Sequence, residues 1–472
     1  MLESQGANAI ENSNERPEKE IERALTGGNV RHVCHLQLAR GHLSANRQLL
    51  MEMNYRPPPG ARTALVLLIG INLFNYIDRQ VLAAVEPEIR ATFFAASDAN
   101  AMAKTGALGM VFLITYMLAA PALGWLADRF SRWVIVGAAV IFWSFAIGGT
   151  GLAATFAILV MTRVLVGVGE GGYGPIAPTI LTDHFPLEKR ARIMAYFCAA
   201  IPVGSALAYV IGGAVTSHHS WRVAFYILTF PGLLLGIACF FQRDPRGLGS
   251  GPKVRQRAHK EDYSKLLLTP SYGFNMIAQT AMTFAAGGMG FWIAEYLHSR
   301  GQPPSARIVF GGIVVVAGLV STVVGGVLAD RLRKRYAASD FLVSGIGMIV
   351  AFPLFIGMLS TPFPLAWVFM FAAVFLLFLN TGPSNAALAN VSFPNMRERA
   401  FALNILIIHL FGDVAAYPTI GYIGGHSSMT IAFFVVSVAI LVGGVVWLAG
   451  MKSLPADSER VQGITSAAQI SS

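Results

Sequence analysis

Two short stretches hold the residues that could do chemistry. In NYIDRQ (75–80), Asp78 and Arg79 stand side by side within ALVLLIGINLFNYIDRQVLAAV (64–85), a run long enough to cross a bilayer. In RVLVGVGEGGYGPIAP (163–178), Arg163 and Glu170 lie seven residues apart in another such run. An ionised side chain at the bilayer centre costs about 2.5–3.5 kcal/mol on insertion scales, so each of these residues needs a reason to be there. A carboxylate in low dielectric resists ionisation and can load a proton near neutral pH, and an arginine can hold an anion. Asp78 and Glu170 are therefore candidates for proton coupling, and Arg79 and Arg163 for binding an anionic group. The competing reading is structural, because buried ion pairs also lock helix register. His409 and Asp413, at i and i+4 in a third run, can touch as a polar pair, although a hydrogen-bonded core histidine would leave the same trace.

Helix geometry sorts these residues by face. Successive residues point about 100° apart, so Asp78 and Arg79 cannot face one partner. Asn72, Asn75 and Arg79 share a face, expected to border a central cavity, with Asp78 turned partly toward a neighbouring helix. Arg163 and Glu170 share a face too, but lie about 10 Å apart along the axis, too far to pair directly. Asp78 could serve Arg163, or Glu170 could serve Arg79. Further candidates to line a substrate site are Asn75, Tyr76 and Tyr173 in the first half of the chain, and Asn380, Ser384, Asn385 and Asn404 in the second. The glycines of GVGEGGYG permit close helix packing, and Pro175 and Pro178 permit a bend.

The elements that must position these side chains are membrane spans. Hydrophobic residues make up 54% of the chain and charged residues 13%, about half the soluble norm, which excludes a soluble globular protein. Between about 62 and 450 lie a dozen apolar runs of spanning length, the fourth over 157–182, the seventh over 272–297 and the tenth over 364–388. The net charge of +10 invites a nucleic-acid reading, but its distribution refutes that. With the N-terminus inside, twenty Lys and Arg fall in the even-numbered loops and the C-terminal tail, against five on the opposite face. The bias places both termini in the cytoplasm, for a multi-pass protein of the cell (inner) membrane. No nucleic-acid partner is expected.

The chain repeats itself. GWLADRFSR (124–132) at the end of the second span matches GVLADRLRK (326–334) at the end of the eighth, with Gly124, Asp128 and Arg129 answered by Gly326, Asp330 and Arg331. Gly174-Pro175 is echoed by Gly382-Pro383, and Phe185-Pro186 by Phe393-Pro394. Parallel repeats separated by an even number of helices give two six-helix bundles, the architecture of the major facilitator superfamily. The divisions read as a disordered tail (1–60), a first bundle (61–241), a basic central loop (242–270), a second bundle (271–450) and a C-terminal tail (451–472). No signal peptide appears, since the first 22 residues are acidic and lack an apolar core, and Met51 and Met53 are candidate starts besides Met1. The repeated motif, with Arg132, reads as a cytoplasmic gate in which small residues let helices approach and charges latch. Basic residues anchoring the membrane interface are the plainer alternative.

Enzyme chemistry finds no support. The three cysteines have no metal or disulfide spacing, no P-loop pattern occurs, and GVGEGG lies in a membrane helix with no preceding strand. No metal or cofactor is expected. Without an energy-supplying domain, transport must run on a gradient, and buried carboxylates point to protons.

NYIDR, RVLVGVGEGGYGPIAPTILTDHFP, AAIPVGSALAYVIGG and HLFGDVAAYPTIGYI together resemble the spinster family of the major facilitator superfamily, from about Asn72 to the end of the twelfth span. That resemblance implies twelve helices and export of sphingosine-1-phosphate or movement of lysophospholipids, some members using protons. By it, Asp78, Arg79 and Glu170 match the family's buried charges, and Arg163 matches the arginine of the superfamily's fourth-helix motif. Short outer loops without a glycosylation sequon point to a bacterial member. The expected protein is a monomeric carrier of a lipid or small amphipathic anion, working by alternating access; the adjacent charges add the expectation that protonation of Asp78 frees Arg79 for substrate. A proton-coupled symporter of sugar acids or carboxylates would use the same first-helix motif. A non-transporting lipid receptor or a channel on this fold is the reading from another class.

Overall fold

The computed structural model describes residues 60–244, 260–393 and 396–470. The proposed disordered tail and most of the basic central loop lie outside the described residues. Ten described helices are long and apolar enough to cross a membrane. A broken fourth span and a more polar seventh, Pro270–Ser299, complete a twelve-span all-α architecture.

The spans are not uniform rods, and proline at the repeat motifs is the reason. The fourth divides into Phe156–Gly171 and Ala177–His184 around Gly174-Pro175. The tenth divides into Leu365–Phe378 and Thr381–Asn390, with Pro383 in the opening turn of the second piece. Proline has no N–H to donate and disfavours helical geometry in the residue before it. The echo seen in sequence thus marks a break repeated in each half. The eleventh span holds a different irregularity, a π-helical turn at His409–Asp413 between Arg397–Ile408 and Val414–His426. After the twelfth span, Met429–Gly450, the C-terminal tail forms a further helix, Leu454–Ile470.

Lipid tails are as apolar as leucine, so close packing rather than water exclusion must hold such helices together. A methyl added at Gly167 would lie 2.5 Å from the carbonyl oxygen of Phe112, and one at Gly171 would lie 3.0 Å from the backbone nitrogen of Ala120. The fourth span is thereby pressed onto the second (Ala101–Ala127). Gly204 plays the same part between the fifth span (Leu187–Thr216) and the Leu73 carbonyl of the first (Ala61–Ala84).

Arg132, at the start of the third span (Arg132–Gly151), is buried. It pairs with Asp244 at 2.7 Å and Asp183 at 2.7 Å and donates to the Thr179 hydroxyl at 3.1 Å. It thereby ties the third span to the fourth and to the segment just after the sixth (Arg222–Cys239). Asp244 also accepts from the Arg132 backbone N–H at 2.9 Å. Asp244→Ala should therefore lower the unfolding free energy by about 2 kcal/mol, read as a lower melting temperature in detergent. An unchanged melting temperature would mean that solvent replaces the carboxylate.

Candidate functional site

The first span (Ala61–Ala84) brings its polar residues against the fourth and fifth. Asn72 donates to the Phe197 carbonyl at 2.9 Å, and Asn75 is buried beside it. Arg79 meets Glu170, Nε to Oε2, at 2.6 Å. Glu170 is fully buried, whereas the Arg79 side chain keeps 19% of its surface exposed. The guanidinium lies over the rings of Tyr116 at 4.6 Å, Tyr76 at 5.2 Å and Phe112 at 5.4 Å. Three aromatic faces and one carboxylate hold this cation in place, and each ring contact is worth on the order of 1 kcal/mol where water is thinned.

Asp78 points elsewhere, as the 100° step per residue requires. It is buried, one carboxylate oxygen lacks a hydrogen-bond partner, and the charges acting on it are those of Glu170 and Arg163. Arg163 sits deep in the first bundle, donates to the Thr150 hydroxyl and faces the Phe225 ring at 5.7 Å. Its Nε has no partner. The two acids and two bases thus form one chain of charge through the interior, exposed at Arg79. The adjacent acid does not cover Arg79; Glu170, on another helix, does. Tyr173 is turned inward as well, its hydroxyl donating to the Leu68 carbonyl at 2.8 Å.

In the second half the amides serve one another. Asn404 donates to Gln279 Oε1 at 2.6 Å, and Gln279 donates to the Ser384 hydroxyl at 2.9 Å. Asn275 donates to the Ser384 carbonyl at 3.1 Å and accepts from the Trp447 indole at 3.0 Å. Asn380 is buried on the Leu377 carbonyl, while Asn385 is exposed. On the opposite face of the seventh span from Asn275 and Gln279, an apolar groove of about 520 Å³ runs between the seventh, eleventh and twelfth spans, lined by Ile277, Phe284, Ile407, Phe411 and Val435 among others. The π-turn brings His409 Nδ1 to 2.6 Å from Asp413 Oδ2. Only glycine at 287 leaves room for that carboxylate, since a methyl there would lie 1.8 Å from Oδ1.

Of the gate residues, Asp128, Arg129, Asp330 and Arg331 are exposed, and Arg129 lies over the Trp125 ring at 3.4 Å. Methyls on Gly124 and Gly326 would meet no atom within 4 Å. The close approach of the second and eleventh spans is made at the other end, the far face. There Gly106 faces the Tyr417 carbonyl and Gly425 the Ala99 carbonyl. In this conformation the halves meet at the far face, opposite the termini.

Reading charges from the spans misses Tyr116, Phe112, Thr150, Gln279 and Asn275, whose neighbours come from distant sequence. It also misses Glu295, which lies within the seventh span as drawn from hydropathy.

The sequence profile described as Major Facilitator Superfamily matches residues 68–410. The chain is 34% identical over 390 residues to protein spinster homolog 3 of Danio rerio, covering 77% of each. It is 33% identical over 386 residues to the sphingosine-1-phosphate transporter SPNS2 of Mus musculus, covering 76% of this chain and 69% of that one. Among solved structures, a bacterial homolog of the human lysosomal transporter spinster, inward-facing and unoccupied, superposes with a TM-score of 0.75 at 21% identity. That match covers 85% of this chain and 99% of the other. A D-xylose-proton symporter follows at a TM-score of 0.64 and 20% identity, covering 82% and 96%. The chain belongs to the spinster family of the major facilitator superfamily, and is a transporter rather than an enzyme.

Proposed function

We propose that this chain is a proton-coupled carrier of an amphipathic lipid with an anionic headgroup, a lysolipid or a sphingolipid such as sphingosine-1-phosphate. The observation that carries this reading is an asymmetry between the halves. The first half offers a partly exposed guanidinium in an aromatic cage. In the second half, the side chains of Asn404, Gln279 and Ser384 are turned onto one another, and an apolar groove opens on the other face of the seventh span. An anionic headgroup fits the one, and an acyl chain the other. Relatives known as sphingosine-1-phosphate transporters agree with the substrate class.

In this mechanism the carrier alternates between states closed at the far face and at the face of the termini. With the termini cytoplasmic, the present conformation is inward-facing. Glu170 occupies Arg79 until a proton neutralises it, and the freed guanidinium then takes the headgroup. Asp78 and Arg163 stand behind this pair and relay the change in charge. Asp128, Arg129, Asp330 and Arg331 latch the face of the termini when the far face opens. The carrier works as a monomer.

The test is flux into proteoliposomes under an imposed pH gradient, comparing labelled sphingosine-1-phosphate and a lysophospholipid with a sugar acid. Lipid flux driven by the gradient is expected in the wild type. Asp78→Asn should still bind lipid while its flux no longer follows the gradient. Flux of the sugar acid alone would place the protein among organic-anion symporters. Saturable binding without flux would make it a receptor.

A further inference from the structure

The far face carries a second concentration of charge that the transport reading does not use. It straddles the two halves. A short helix, Glu86–Phe93, follows the first span and packs against the second and seventh spans. Its Arg90 is shared: Nε lies 3.3 Å from Glu86 Oε1, and the guanidinium also pairs with Glu295 of the seventh span. Nearby, Arg307 of the eighth span (Ala306–Arg333) makes a two-pronged pair with Glu88 at 2.8 and 3.0 Å and donates to the Thr216 hydroxyl at 3.1 Å.

Three carboxylates thus face two guanidiniums. Arg307 is engaged by Glu88 and reaches Glu295 only through space, which leaves Arg90 as the one guanidinium paired directly with both Glu86 and Glu295. Both acids are buried, at 1% and 4% exposure. Glu86 Oε1 also accepts from the Thr105 hydroxyl at 2.6 Å, but Glu86 Oε2 is buried with no partner. His298, one turn beyond Glu295, also acts on that carboxylate, but it is exposed, so water weakens its pull. One buried negative charge is therefore in excess when both acids are ionised. Two carboxylates sharing one site cannot both ionise cheaply, and a neutral carboxyl tolerates a missing partner far better than a carboxylate does.

We propose that Glu86, Glu295 and Arg90 form a proton-binding site, separate from Asp78 and Glu170, that locks the two halves together at the far face. Loaded with one proton, the site is neutral and holds that face shut. Emptied, it carries a buried negative charge across the seam, which the face relieves by opening to water. Burial pushes the Glu86 carboxyl up to about 7, with Glu295 acting in the same direction and Arg90 and Thr105 opposing. In the opened, hydrated state the group returns toward about 4.3. The closed state then binds the proton more tightly, so closure is favoured as pH falls through about 7 and is lost above it. The ligand is the proton itself, and acid at the far face biases the carrier toward the conformation seen here.

This inference rests on alternating access but on no particular substrate, so a failed flux assay leaves it standing. The test uses the full chain in nanodiscs, with native cysteines replaced by alanine and nitroxide labels at Ser97→Cys and Ser305→Cys, one on each half. Pulsed electron-spin distances are measured from pH 5 to 8.5. The ratio of short to long distances should rise at least tenfold toward pH 5. Glu86→Gln, permanently neutral, should hold the short distance throughout, and Glu295→Gln should do the same. Asp78→Asn should retain the pH response. A wild-type distance distribution independent of pH would overturn the proposal. So would a pH response that survives both glutamine variants, or one that Asp78→Asn abolishes.

Discussion

Glu170→Ala should destabilise the protein by about 3 kcal/mol and abolish gradient-driven flux. The magnitude follows from what is left behind. Arg79 meets Glu170 at 2.6 Å, and removing one partner of a buried pair strands the other charge, which typically costs about 3–5 kcal/mol. The partial exposure of Arg79 and its ring contacts place this case at the low end. A double replacement, Arg79→Leu with Glu170→Leu, should recover most of the stability, because no charge is then stranded. Flux should stay lost. Thermal unfolding in detergent and proteoliposome flux, measured on the same three proteins, separate the two roles. If Glu170→Ala unfolds at the wild-type temperature, water already reaches Arg79 and the pair is only a surface contact. If the double variant carries substrate normally, Arg79 does not hold the headgroup.

The second large effect is expected at the seam between the second and eleventh spans. A methyl at Gly425 would lie 2.1 Å from the Ala99 carbonyl oxygen, and one at Gly106 would lie 2.4 Å from that of Tyr417. These are backbone atoms of the opposite half, so no side chain can swing aside. Gly425→Val and Gly106→Val should hold the far face apart. Alternating access needs that face to close, so flux should fall at least tenfold. Each six-helix half keeps its own packing, so melting should change little. Gly312→Ala, on the eighth span where a methyl meets nothing within 4 Å, serves as the control. A large loss of stability in Gly425→Val would show that the two halves cannot part without unfolding, contrary to a rocking mechanism.

Spans, the internal repeat and the intramembrane charges were legible in the chain because each rests on local chemistry. A run of apolar residues must cross lipid wherever it sits, and a buried charge is conspicuous against it. Membership of the spinster family rested on contiguous motifs such as GVGEGGYGPIAP, which need no tertiary information. The i, i+4 contact of His409 and Asp413 was visible for the same reason, although the π-turn that shapes it was not.

Partner choice was another matter. The first helix places Asp78 and Arg79 on different faces, but only the packing of the fourth span against it decided that Glu170 would take Arg79. The amides of the second half looked like a cavity lining in sequence. The fold uses Ser384 and Asn404 to satisfy Gln279, because buried polar groups in a membrane bundle must find partners within the protein. Glu86 and Arg90 lie one helical turn apart, but Glu295 is far along the chain and is brought against them only by the packing of one half on the other. Sequence determined what crosses the membrane and which charges go with it; tertiary structure decided which charge each one meets, because pairing depends on distances between helices that no single helix encodes.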